Sequence, residues 1–323
     1  MHRATTNRRR ALLLAASLGT TAALGGTMTP APDVGAAVPY APRPAWNEVQ
    51  SWGINNAAFD ASGIAQIRGS VRDMVIIGRH NSNTGREWTR DEIEAGKLSK
   101  WLLAYMSVGE AQKSEWYWQP SYNANPPAWA VGTNPWWSNN VYAELWNSEW
   151  HSLLHQTLDR IIDQGFDGAF LDVVDSYWYP GYPGGPDWRQ KLEAAITVCS
   201  LAQHAKARNP EFKLVVNNAL DLFWMDISTS PEGWATGCDQ PYMNYIDGTV
   251  IEGLWWFDGN TPRDDFYRNQ KIGELAYHQA AGKPIFALDY APWWDAPRVD
   301  AAARSLGYLP YVTVYGRENP LPS

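Results

Sequence analysis

Five apolar segments of this 323-residue chain end on an acid or an amide. "LLAYMSV" runs into Gly109 and Glu110. "GAFLDVV" carries Asp172, with Asp175 three residues on. "KLVVN" ends in Asn217. "GTVIEG" carries Glu252, and "PIFALDY" ends in Asp289 and Tyr290. Surface acids favour helix starts and loops, where they cap backbone N–H groups. Acids at the ends of apolar strands ask for another explanation. Two carboxylates that face each other can cleave a glycosidic bond. One, protonated, gives its proton to the leaving oxygen, while the other, ionised, attacks the sugar or activates water. Asp172 and Glu252 are embedded in apolar runs and are the best candidates. Glu110, Asp175, Asn217 and Asp289 are expected to hold substrate or tune the pair.

The aromatic residues point the same way. There are 19 tryptophans, several in pairs outside any helix or strand period: Trp136–Trp137, Trp255–Trp256 and Trp293–Trp294. Some must be core. Flat rings in Gly/Pro-rich loops are also what sugar rings stack on, so Tyr177, Trp255, Tyr290 and Trp293 join the substrate-binding candidates.

Other chemistries lack their residues. No G-x-S-x-G elbow is present. His151 and His155 stand four apart, but Ser152 follows His151 where a zinc protease carries Glu; both are expected on a helix surface. "DGNTPRDD" from Asp258 lacks the Gly and final Glu of a calcium loop at the right offsets. No cofactor and no metal is called for.

These residues need a scaffold. Eight strands are expected near 49–55, 73–78, 102–108, 168–174, 213–217, 248–253, 284–290 and 309–315. Helices are expected between them. The best runs from Val141 to Gln164, capped by Asn139 or Asn140 and ended by Gly165. Others run over 186–208, 264–281 and 297–305. Near-continuous apolar strands alternating with helices mean a parallel sheet buried on both faces. Eight such units favour a single-domain α/β fold, the closed (β/α)8 TIM-type barrel, whose chemistry gathers at the C-terminal ends of its strands. No Gly-rich phosphate fingerprint follows the first strand, which counts against a dinucleotide fold.

Residues 1–37 read as an export signal. Arg8, Arg9 and Arg10 precede "ALLLAASLGTTAALGG", with small residues beyond, a layout suited to the Sec or twin-arginine route and a secreted protein. That run is too short to span a membrane. Residues 38–47 read as a linker, and 48–323 as the barrel. Removing the signal takes away Arg3, Arg8, Arg9, Arg10 and Asp33, so the formal charge of −8 becomes more negative by three. An acidic surface repels nucleic acid and suits a neutral or cationic partner. A monomer is expected. In an exported protein Cys199 and Cys238 could pair, although spacing alone leaves this open.

"LLAYMSVGEAQ", "GFDGAFLDVVDSY", "VVNNA", "IDGTVIEGLW" and "ALDYA" together resemble glycoside hydrolase family 114, over about residues 48–315. The family includes endo-α-1,4-polygalactosaminidases. The resemblance implies a (β/α)8 barrel that cuts galactosamine-containing polysaccharides within the chain. Its strand-four Asp maps to Asp172 and its strand-six Glu to Glu252, with Asp172 as nucleophile or base and Glu252 as acid. The implied partner is a cationic amino-sugar polymer. One departure stands out: where family members often carry Asp-Tyr at the end of strand two, this chain has Gly78–Arg79–His80, a carboxylate exchanged for a cation. Two alternatives remain beside this reading: a non-catalytic sugar-binding barrel, and an endo-glycosidase acting on another α-galactosidic exopolysaccharide.

Overall fold

The computed structural model describes residues 42–55, 61–81, 85–182, 185, 187–227 and 237–313. The expected export signal, part of the expected linker and the tail of the last expected strand lie outside these residues. Eight parallel strands form one sheet in chain order: β1 (Trp52–Asn55), β2 (Met74–Ile77), β3 (Trp101–Ser107), β4 (Gly168–Asp172), β5 (Lys213–Asn217), β6 (Gly248–Glu252), β7 (Ile285–Asp289) and β8 (Leu309–Val312). The edges β1 and β8 approach each other, and the Trp52 indole donates to Leu309 O at 2.8 Å. The sheet is a nearly closed (β/α)8-type barrel.

Side chains alternate along each strand, and the two faces have different partners. Trp52, Ile54, Met74, Ile76, Trp101, Leu103, Phe170, Val215, Val250, Phe286 and Leu288 form one buried cluster, the barrel interior. Their neighbours Val75, Leu102, Ala104, Ala169, Leu171, Leu214 and Val216 pack outward under the helices. The floor is aromatic. Trp46 lies edge-on to Trp101 at 5.2 Å, and Trp52 meets Phe286 at 5.5 Å and Tyr311 at 5.6 Å. Residues 42–48, read in part as linker, close this end. The Trp46 indole donates to Asp247 O, and Pro44 O accepts from the Trp101 indole.

Six helices cover the strands among the described residues: α1 (Ala61–Gly69), α2 (Arg90–Lys97), α3 (Ser148–Asp163), α4 (Trp188–Arg208), α5 (Asp265–Ala280) and α6 (Ala296–Ser305). The helix α3 begins seven residues later than expected. Asn147, not Asn139 or Asn140, caps it by accepting from Glu149 N and Trp150 N. Residues Asn140–Ala143 instead form a strand between Glu110–Gln112 and Ala130–Thr133, an antiparallel excursion above β3. Gly165 does end α3, with φ of 91°. His151, expected on the helix surface, is buried; its Nε2 lies 2.6 Å from Leu145 O and 3.2 Å from Thr197 Oγ1. Burial pushes its pKa down.

No α-helix links β5 to β6 among the described residues. Two 3-10 turns, Leu220–Trp224 and Tyr242–Asn244, occupy this stretch. Cys238 is tied by a disulfide to Cys199 of α4, so the open pairing resolves as a bond.

Candidate active site

Strand parity decides which strand-end residues reach the barrel mouth. Asp172 has the parity of Phe170, Asn217 that of Val215, Glu252 that of Val250, and Tyr290 that of Leu288, all interior positions. These four side chains and Tyr105, two beyond Leu103, come from five adjacent strands and meet. Tyr105 Oη donates to Asp172 Oδ2 at 2.8 Å. Asn217 Nδ2 donates to Asp172 Oδ1 at 2.8 Å and to Glu252 Oε2 at 3.2 Å. Tyr290 Oη donates to Glu252 Oε1 at 2.7 Å. Each carboxylate therefore receives a phenol on one oxygen and shares one amide on the other. Asn217 is buried at 3 % exposure, while Asp172 and Glu252 keep partial solvent access from the mouth.

Tyr105 was not among the expected site residues. Its signal was available: a polar tip on the interior face of "WLLAYMS", two residues before the pair Ser107 and Asp172 in register. Burial first, then the charge of Asp172, drives its phenol pKa well up, so it stays a donor.

Asp289 has the opposite parity, that of Ile285 and Ala287, and does not enter the mouth. It is fully buried, and its Oδ1 accepts from Trp255 N and Trp256 N, both at 2.7 Å. It thus ties down the loop that follows Glu252. Burial pushes its pKa up to about 7, against the lowering effect of the Trp256 and Trp255 N–H groups. Trp255 is itself buried, and Trp256 donates its indole N–H to Asp295 Oδ2 at 2.6 Å. Trp293, by contrast, is 83 % exposed.

Glu110 lies at the base of the excursion, 1 % exposed, with Oε1 taking Asn134 Nδ2 at 2.5 Å and Oε2 taking Asn140 Nδ2 at 2.8 Å. Burial raises its pKa against those two amides. Tyr177 has no exposed surface. Its hydroxyl donates to Asp221 Oδ1 at 2.9 Å, and Lys191 Nζ pairs with Asp221 at 2.7 Å. It anchors the loop after β4 to the loop after β5. Asp175 sits in that loop. Its side chain caps nothing, and Oδ1 is sealed without a hydrogen bond. Burial, then the charge of Asp172, pushes its pKa up to about 8.

The Arg79 cation at the end of β2 is not offered to the mouth. It is 3 % exposed and paired with Glu87 at 2.5 Å and with Glu115. Arg160 joins Glu87 at 3.1 Å. The exchange at strand two builds a neutralised ion cluster toward α3, not a positive subsite.

The backbone after the site residues is unusual. Val173, directly after Asp172, has φ of 59°; Asn218, after Asn217, has 54°; Gly253, after Glu252, has 70°. Gly and Asn accept the left-handed region readily, whereas a β-branched residue there costs about 1–3 kcal/mol.

Relatives and solved structures match most of this chain. An uncharacterized protein of Deinococcus radiodurans is 29 % identical over 290 residues, 89 % of this chain and 88 % of its own. One of Thermotoga maritima is 31 % identical over 222 residues, 68 % of this chain and 64 % of its own. Among solved structures, the glycoside hydrolase domain of PelA from Pseudomonas aeruginosa superposes with a TM-score of 0.62 at 18 % identity, covering 84 % of this chain and 97 % of that one. Aspergillus fumigatus Ega3, solved in complex with galactosamine, gives 0.56 at 16 %, covering 84 % and 93 %. At such identities these two speak to the barrel alone. The family model of glycoside-hydrolase family GH114 matches residues 79–316, a span that holds the whole Tyr105–Asp172–Asn217–Glu252–Tyr290 cluster, and the chain belongs to that family.

Proposed function

We propose that the protein is a secreted endo-glycosidase that cleaves an α-1,4-linked, galactosamine-containing polysaccharide within the chain. The observation that carries this reading is the pair Asp172 and Glu252 on a single donor, Asn217 Nδ2. Legs of 2.8 and 3.2 Å from one nitrogen place the two nearest carboxylate oxygens no more than about 6 Å apart. Retaining glycosidases hold their carboxyl groups about 5–5.5 Å apart, and inverting ones leave about 6.5–9.5 Å for a water. The scheme proposed is double displacement with retention, which needs the two carboxyl groups close together, as a shared donor holds them.

In that scheme Asp172 stays ionised, stabilised by Tyr105 and Asn217, and attacks the anomeric carbon. Glu252 enters protonated and gives its proton to the departing glycosidic oxygen, freeing the leaving chain and leaving a glycosyl ester on Asp172. Glu252, now a carboxylate, takes a proton from water. That water attacks the anomeric carbon and releases Asp172. The net change is one bond hydrolysed, with both side chains restored.

The choice of an amino-sugar polymer is supported by the two partly exposed acids of the mouth, Asp172 and Glu252, and by the galactosamine held by the structural neighbour Ega3. Exposed indoles at Trp137, Trp178, Trp293 and Trp294 lie in connections that follow C-terminal strand ends, where a chain crossing the rim would stack. Secretion is supported by the arginine-led apolar run at the N-terminus and by the Cys199–Cys238 disulfide, a bond of oxidising compartments.

The test is reducing-end release from partly deacetylated poly-galactosamine, with the product anomer followed by NMR. Release of the α-anomer first supports the reading. Binding without release favours the sugar-binding barrel, and release only from a neutral α-galactosidic polymer favours the other exopolysaccharide.

A further inference from the structure

The structure singles out Val173. Among the described residues outside glycine, positive φ occurs at Leu98, Val173, Asn218 and Ala219, and only Val173 is β-branched. The comparable positions after Asn217 and Glu252 hold Asn218 and Gly253, types that tolerate this backbone. Of the three positions that directly follow Asp172, Asn217 and Glu252, Val173 is therefore the strained one.

The surroundings leave no room for relaxation. The Val173 side chain is 6 % exposed. A Cβ added to Gly109 would stand 2.3 Å from Val173 O, 2.4 Å from Ser176 Oγ and 2.6 Å from Ser176 Cβ, so the left-handed turn is pressed against the bare Cα of Gly109. On the other side of the turn, Asp172 O accepts from Val108 N at 2.9 Å. Ser176 N returns to Val173 O at 3.3 Å and starts the 3-10 turn Ser176–Trp178. The main chain of Asp172 and Val173 is therefore held by two consecutive residues just beyond β3, Val108 against Asp172 O and Gly109 against Val173 O.

We infer that Val173 is a positioning residue: its left-handed backbone, held against Gly109, sets the direction in which the Asp172 carboxylate meets Tyr105 and Asn217. This rests on Asp172 being one of the reacting groups. The inward course of β4 must stop at Asp172, or Val174 would continue the strand and the loop bearing Asp175 and Tyr177 would run elsewhere. A residue at ease in the left-handed region would allow the turn but would not hold it rigidly, whereas a buried, branched side chain has one way to fit.

The experiment uses the full chain with Val173→Gly, Val173→Thr and Gly109→Ala. Val173→Gly is expected to fold and to lose kcat about 10²-fold with KM little changed, the effect of a misplacement near 1 Å. Val173→Thr keeps the branched shape and is expected to stay within a few-fold of wild type. Gly109→Ala pushes Val173 from the opposite side and is expected to lower kcat at least as much as Val173→Gly. A crystal structure of Val173→Gly supplies a readout independent of turnover: the Tyr105 Oη to Asp172 Oδ2 contact, 2.8 Å in the wild type, is expected to be broken. A folded Val173→Gly with wild-type kcat and that contact intact overturns the inference. If Asp172→Asn still cleaves, or the wild type cleaves nothing, the assignment of Asp172 fails instead. The Tyr105–Asp172 distance in Val173→Gly then still decides the positioning claim.

Discussion

Asp172 and Glu252 share one hydrogen-bond donor: Asn217 Nδ2 stands 2.8 Å from Asp172 Oδ1 and 3.2 Å from Glu252 Oε2. Two carboxylates this close repel each other unless one is protonated or a donor lies between them. The amide does the second without adding a charge that a cationic substrate would have to displace. Removing it should therefore hurt turnover more than binding. Asn217→Ala is expected to lower kcat by about 10²–10³-fold with KM changed little. A KM effect alone would place Asn217 in substrate binding only.

Tyr105 acts on one member of the pair. Its phenol holds Asp172 Oδ2 at 2.8 Å, and such a bond to a charged acceptor contributes about 1.5–3 kcal/mol. Tyr105→Phe should cost roughly 10- to 100-fold in kcat/KM. The loss should fall on kcat with KM little changed, because the phenol holds Asp172 and not the substrate. A loss confined to KM would place Tyr105 in substrate binding instead.

Asp175 makes stability depend on pH. Its ordinary value is 3.8, and burial raises it to about 8 in the folded chain. Between these values the unfolded chain has released the proton and the folded chain keeps it. Stability is then full below pH of about 4 and falls as pH rises toward about 8. Asp175→Asn cannot titrate, so its thermal stability should gain on wild type steadily across that window. Parallel melting curves at pH 4, 6 and 8 check this, and a constant gap between the two proteins would contradict it.

The Cys199–Cys238 bond closes a 39-residue separation and fastens the β5–β6 connection to α4. Loop-closure entropy assigns such a link about 4 kcal/mol. Cys199→Ser with Cys238→Ser is expected to lose stability of that order in urea titrations, with the site residues on β4–β6 unmoved.

The strands were legible because each is an apolar run flanked by turn residues, and all eight lie where the pattern puts them. The mouth was legible in part. Asp172, Asn217, Glu252 and Tyr290 stand at strand ends, a position visible in one dimension. Asp289 stands there too but on the outward parity, and only strict two-residue counting from the interior Phe286 and Leu288 separates it from Tyr290. Tyr105 lies two residues before the register partner of Asp172, inside an apolar run where a tyrosine reads as core. The Asn140–Ala143 strand was hidden because its apolar residues continue the helical spacing of α3, and the capping side chain of Asn147 decided the boundary. Tyr177 shows the opposite lesson. An aromatic in a Gly/Pro-rich loop reads as a sugar platform, yet its hydroxyl is spent on Asp221 beneath the rim.

The most direct test of the central claim is hydrolysis of partly deacetylated poly-galactosamine by wild type, Asp172→Asn and Glu252→Gln, with polymer binding measured in parallel. The account predicts chain cleavage by the wild type, a loss of at least about 10²–10⁴-fold in each variant, and binding kept in both. Undiminished cleavage by either variant would contradict it.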